Sequence, residues 1–151
     1  MDLNELLKAK GELTIILRGE DGKVKEVRQV PNLVVSVGKT YIASRMVGTS
    51  ATIMSNMAIG TGTTSPAAGD TTLGTEAGRV ALASGTSSGS TVTYTATFPA
   101  GTGTGAITEA GIFNPSAAGG SGGTMLCRTT FPVVNKAAGD SIAVTWVITV
   151  S

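Results

Sequence analysis

Two carboxylates, Glu76 and Glu109, are the only acids near the apolar segments in the middle of this chain. Such a pair could run acid–base chemistry, since glycoside hydrolysis needs two carboxyl groups roughly 5–10 Å apart across a cleft. Their favoured expectation is structural: each caps backbone N–H groups or pairs with an arginine such as Arg79 or Arg128. The rest of the ten acids are scattered over turns and the N-terminal region. No histidine occurs anywhere. That excludes a Ser-His-Asp triad, a Cys-His pair and any histidine metal site. The single Cys127 cannot form an intramolecular disulfide and, without histidine, cannot complete the usual zinc ligand sets. Its place in Met125-Leu126-Cys127-Arg128 predicts a buried, inert thiol on a strand.

Two glycine motifs imitate nucleotide sites. Gly38-Lys39-Thr40 has the tail of a phosphate-binding loop, but that loop needs a glycine five residues before its second glycine, where this chain has Leu33. The segment is expected to open a helix instead. Gly60-Thr61-Gly62-Thr63-Thr64 carries no lysine and no helical continuation, so it reads as a loop. No calcium-loop pattern is present. No catalytic, cofactor-binding or metal-ligating residue is therefore assigned.

These residues must be carried by a β-rich body. The chain has 151 residues, 14% charged and 4% aromatic, with 21 glycines. That suits one domain with an aliphatic core and many turns. The net charge of +1 comes with no basic block. Lys and Arg crowd the first third, but acids are interleaved among them. That is a solvated face, and no nucleic-acid binding is expected. The N-terminus lacks the basic region and apolar run of a signal peptide, and no apolar stretch approaches a membrane span. A soluble protein made in a cytosol is the expectation.

Residues 1–10 read as an amphipathic N-terminal arm, with Leu3, Leu6 and Leu7 on one side of a helical turn or two. It is too short to be stable alone, so it must pack on its own body or on a neighbour. Residues 11–151 read as a single β-sandwich domain. A hairpin is expected from strands 12–18 and 23–30 around Gly19-Glu20-Asp21-Gly22, with a bulge in the return strand. Pro31-Asn32 should break that strand. The best helix covers 38–47 and stops at Gly48. Strands are expected over 54–59, 79–83, 91–98, 106–113, 124–131 and 141–150. Glu109-Ala110-Gly111 interrupts the fourth of these, and residues 86–90 form a turn. The stretch 61–77 is a long polar loop, of a length that usually needs contacts to order it. Residues 116–123 form a glycine loop. Val92, Tyr94, Phe98, Ile112, Phe113, Phe131, Val144, Trp146 and Ile148 make the expected core. Strands at this spacing indicate an all-β sandwich or small barrel with one short helix.

One ordered set of motifs is more specific. Met57-Ala58-Ile59-Gly60-Thr61-Gly62-Thr63-Thr64 is followed by Gly69-Asp70-Thr71-Thr72-Leu73, Glu76 and Arg79. Then come Ile107-Thr108-Glu109-Ala110-Gly111-Ile112-Phe113-Asn114, Met125-Leu126-Cys127-Arg128 with Phe131, and Asp140 with Val144-Thr145-Trp146. From about Leu33 onward this order resembles small virion structural proteins of tailed bacteriophages. The resemblance implies a capsid cement or decoration protein, without enzymatic activity or cofactor. It also implies a jelly-roll-like sandwich that sits as a dimer or trimer on the major capsid protein. Similar sequences are tail-fibre or tail-associated proteins, which leaves a receptor- or glycan-binding tail module as the alternative. The charged hairpin is not explained by these motifs. Contacts with neighbours are expected from the arm (Leu3, Leu6, Leu7), the long loop (Thr61, Thr63, Thr64, Asp70, Thr71, Leu73) and Asn114.

Overall fold

The computed structural model describes residues 6–48, 52–115 and 123–151. These form strands β1 (Ala9–Arg18) and β2 (Val24–Val34), helix α1 (Ser36–Arg45), and strands β3 (Asn56–Gly60), β4 (Glu76–Ala81) and β5 (Ser84–Ser88). Strands β6 (Thr91–Phe98), β7 (Gly105–Phe113), β8 (Met125–Lys136) and β9 (Ser141–Val150) complete the chain. All pairings are antiparallel, in the order β4-β3-β7-β8-β2-β1-β9-β6-β5. The protein is all-β with one short helix, as its sequence predicts. The sheet curls like half a barrel. Two strands make the corners. β2 leaves β1 and continues along β8 through Leu33 and Val34. At the far side Leu82 and Ala83 carry the chain from β4 to β5, their N–H groups donating to Ser55 O (2.8 Å) and Thr95 O (2.8 Å).

The concave face holds the core. Leu13, Ile15 and Leu17 alternate along β1, and Ile142, Val144, Trp146 and Ile148 along β9. Trp146 lies opposite Leu13 on one side and Tyr94 on the other, in the middle of its half of the sheet. β9 matches its expected bounds because its period of two is uninterrupted. Of the expected core, Val92 and Tyr94 are only half-buried, beside the edge strand β5.

Several elements depart from expectation. Pro31 does not break β2: it sits opposite Glu12, just where the strand trades one neighbour for the other. A residue without an N–H is tolerated at such a corner. The expected bulge is present, because Leu17 pairs with Glu26 and Arg18 with Val24, leaving Lys25 as the extra residue. The helix is shifted two residues early at both ends, to Ser36–Arg45, and Gly48 (φ 68°) closes the turn that follows it rather than capping the helix directly. Residues 84–88 are strand, not turn: Ser-Gly-Thr-Ser-Ser pairs along β6, where Thr residues supply the β-propensity. The turn is confined to Gly89 (φ 57°) and Ser90.

The arm is shorter than expected. Lys8 exchanges backbone hydrogen bonds with Ser151, and Ala9 and Lys10 pair with Val150 and Thr149, so residues 8–10 belong to the sheet. Leu6 and Leu7 precede it without a helical turn and are exposed. Leu3 lies outside the described residues, as does most of the glycine loop.

Candidate functional site

β7 is unbroken and almost entirely buried, although Glu109-Ala110-Gly111 was expected to interrupt it. A register shift between Ile107 and Glu109 changes the phase of the strand. Ala110 and Ile112 then face the main core, while Phe113 joins Val35, Ala58, Leu73 and Met125 in a second apolar cluster on the convex face. The loop that joins β3 to β4 lies over this face. A strand covered on both sides loses its alternating pattern. Gly111 belongs to the same face, where a Cβ would come within 3.2 Å of Leu73.

Glu109 is the centre of the covered face, with no solvent exposure. Its Oε1 accepts from the N–H groups of Gly62 (2.8 Å) and Thr75 (2.7 Å), and its Oε2 from that of Gly74 (2.8 Å). Arg128 donates to the same Oε2 from Nε (3.2 Å) and Nη2 (2.9 Å). The guanidinium also donates to Asp70 Oδ2 (2.8 Å) and to the Thr64 carbonyl (2.9 Å). Asp70 in turn accepts from the Ala67 N–H (2.9 Å), and the Thr108 hydroxyl donates to Gly62 O (2.7 Å). One carboxylate and one guanidinium thus bind both ends and the middle of the loop.

The glycines follow from this geometry. A Cβ on Gly62 would stand 2.5 Å from Glu109 Oε1, and one on Gly60 would collide with the Thr75 carbonyl. Burial pushes the Glu109 carboxyl up, but the Thr75 and Gly74 N–H groups, the Arg128 guanidinium and the Gly62 N–H outweigh it. Their combined effect holds the group below the usual carboxylate range. The carboxylate is ionised and saturated with donors.

Glu76 takes the other expected structural use. It pairs bidentately with Arg79 (3.1 and 2.7 Å), whose guanidinium stacks 4.1 Å above the Phe113 ring. Register places Glu76 opposite Gly60 and Gly60 opposite Glu109, so the two glutamates share a face two strands apart, about 10 Å. They flank no cleft, because the loop fills the space over Glu109. The arrangement fixes a loop; it offers no free oxygen for proton transfer at Glu109. Cys127 is fully buried, and desolvation pushes its thiol up. Among the described residues no group of acids and cysteine could hold a metal ion, and no helix is long and apolar enough to cross a membrane.

The residues expected to touch neighbours divide. Thr63, Thr64 and Thr71 are exposed on the outer side of the fixed loop, and Thr61 is half-buried. Asp70 is engaged by Arg128, and Leu73 is 6% exposed beneath the loop. Asn114 is also buried. Its amide donates to Thr52 O (3.3 Å) and accepts from the Thr124 N–H (2.6 Å). These three serve the fold's interior. The site gathers Gly60, Gly62, Asp70, Leu73, Glu109, Gly111, Phe113 and Arg128, all members of the sequence motifs. Their order in sequence signals them, but only the β3–β7–β8 pairing shows that they meet. Gly74 and Thr75, whose N–H groups complete the donor set, carry no such signal.

No family model, curated protein or solved structure matches the chain.

Proposed function

We propose that the chain is a non-enzymatic structural protein of a tailed-bacteriophage virion. In this reading it is a capsid cement protein that binds the major capsid protein as a homo-oligomer and stabilises the head. The motif order supplies the phage resemblance. The observation that carries the structural role is the Glu109–Arg128–Asp70 cluster. It consumes the best-placed carboxylate of the fold to hold a long loop in one conformation. A loop ordered in advance loses little entropy on binding, so more of the contact energy appears as affinity. The outward Thr63, Thr64 and Thr71 can hydrogen-bond a neighbour without the desolvation cost of charges. Many weak contacts on a lattice then add up.

Copy number in purified virions tests the reading. Abundance near that of the major capsid protein supports cement. A few copies confined to the tail overturn it in favour of the tail module. Absence from virions removes both readings.

A further inference from the structure

An apolar groove of about 520 Å³ runs between the start of β1 and the outer side of α1. Ala9, Ile42, Ala43, Met46 and Val150 contribute its apolar wall, and Leu7 stands at its edge. Met46 is 86% exposed, and Leu6 and Leu7 are 77% and 76% exposed. Isolated exposed leucines are ordinary, but here two exposed large apolar side chains, Leu7 and Met46, line one groove, and Leu6 directly precedes Leu7 in the chain. Lys8, Lys10 and Lys39 stand among its lining residues, with no carboxylate there. The groove thus asks for an apolar segment that carries acids.

The N-terminus of this chain has that chemistry. Met1-Asp2-Leu3-Asn4-Glu5-Leu6-Leu7 combines two acids, spaced by three, with three leucines and no base among its side chains. The segment departs from the mouth of the groove, since Lys8 is already tied to Ser151. Yet Leu6 and Leu7 remain exposed there, so the groove of their own copy does not bury them. We propose that residues 2–7 of a second copy occupy this groove, Leu3, Leu6 and Leu7 against Ile42 and Met46, with Asp2 and Glu5 facing the lysines. The arrangement is reciprocal: each copy gives one arm and receives one, which closes a two-fold dimer. It needs nothing from the capsid reading and can be tested without a virion.

Full-length protein is measured by light scattering after size exclusion, across a concentration series and in low and high salt. A dimer that weakens with salt is expected, because the lysine–carboxylate component is screened. Met46→Glu, which puts a like charge in the path of the acidic arm, should return the protein to monomer while leaving its circular dichroism unchanged. Covalent trapping then separates exchange from other contacts. Leu6→Cys and tagged Met46→Cys proteins are mixed and mildly oxidised; the native Cys127 is fully buried and does not interfere. A disulfide joining one chain of each kind is expected. A wild type that is monomeric at every concentration overturns the proposal. So does a dimer that survives Met46→Glu, which locates the contact elsewhere. A monomer whose Leu6→Cys/Met46→Cys double variant closes within one chain shows that each arm occupies its own groove, and overturns the exchange.

Discussion

Glu109 is fully buried and accepts five hydrogen bonds, three from loop N–H groups and two from the buried Arg128 guanidinium. A buried pair broken from one side leaves its partner charged and stranded, at a cost of about 3–5 kcal/mol. Glu109→Gln keeps the shape but removes the charge opposite Arg128 and turns an amide N–H₂ toward backbone donors. The expected loss is of that size, or roughly 6–20 °C in Tm for a domain of this length. Thermal unfolding at neutral pH measures it. The pH dependence gives the sign. The folded carboxyl is held below its usual value of 4.5, so its contribution is complete above that value. It is lost as pH falls through the lower folded value. The gap in Tm between wild type and Glu109→Gln should therefore be largest near neutrality and shrink in acid. A constant gap across that range would mean that Glu109 acts only by shape. Asp140 is held down in the same direction, by Lys25 and then by the Ala137 N–H. Some acid sensitivity therefore remains in the variant.

At the level of elements, α1 depends on a missing side chain. Gly38 is buried, and a Cβ there would collide with the Leu126 carbonyl of β8. The helix can lie on β8 only because this position is glycine. Gly38→Ala raises helix propensity, which by itself would stabilise by about 1 kcal/mol. The collision is with backbone and should win, with a net loss of about 1–3 kcal/mol measured by urea unfolding. An unchanged midpoint would show that the helix can lift from β8 freely. The position reads in sequence as a false phosphate loop and as the opening of a helix, but the need for glycine does not, since what imposes it is a strand nearly ninety residues away. The same division separates elements that are legible from those that are not. β6 and β9 alternate because one face meets the core and the other meets solvent, so their bounds follow from period two alone. β7 does not alternate, because the 61–75 loop covers its second face. β5 has no apolar residue to reveal it and owes its existence to pairing with β6. Glu109 and Arg128 stand out as residues to be paired, and are paired. The three backbone N–H groups that saturate Glu109 come from 34 to 47 residues away and leave no local mark.

The whole molecule is closed by its last strand. β9 lies between β1 and β6, so residues 141–150 join the start of the chain to its middle. Without β9, β1 and β6 become open edges in the centre of the sheet, and Leu13, Ile15 and Phe98 lose the wall formed by Ile142, Val144 and Trp146. Such long-range pairing must be in place before the core repays its ordering cost. A chain ending at Asp140 is therefore expected to remain unfolded, and folding of the full chain to fall in the slow, millisecond-to-second range of non-local β proteins. Unfolding should be one event, because the corners at β2 and at Leu82-Ala83 tie the two halves of the sheet together. Trp146 is fully buried on β9 and reports on that junction. Its fluorescence and the far-ultraviolet circular dichroism should follow the same urea curve. A fluorescence transition that precedes the loss of strand signal would show that the β9 junction opens first and that the sheet is two units. Coincident curves, together with an unfolded 1–140 fragment, would establish that the curled sheet folds only as a whole.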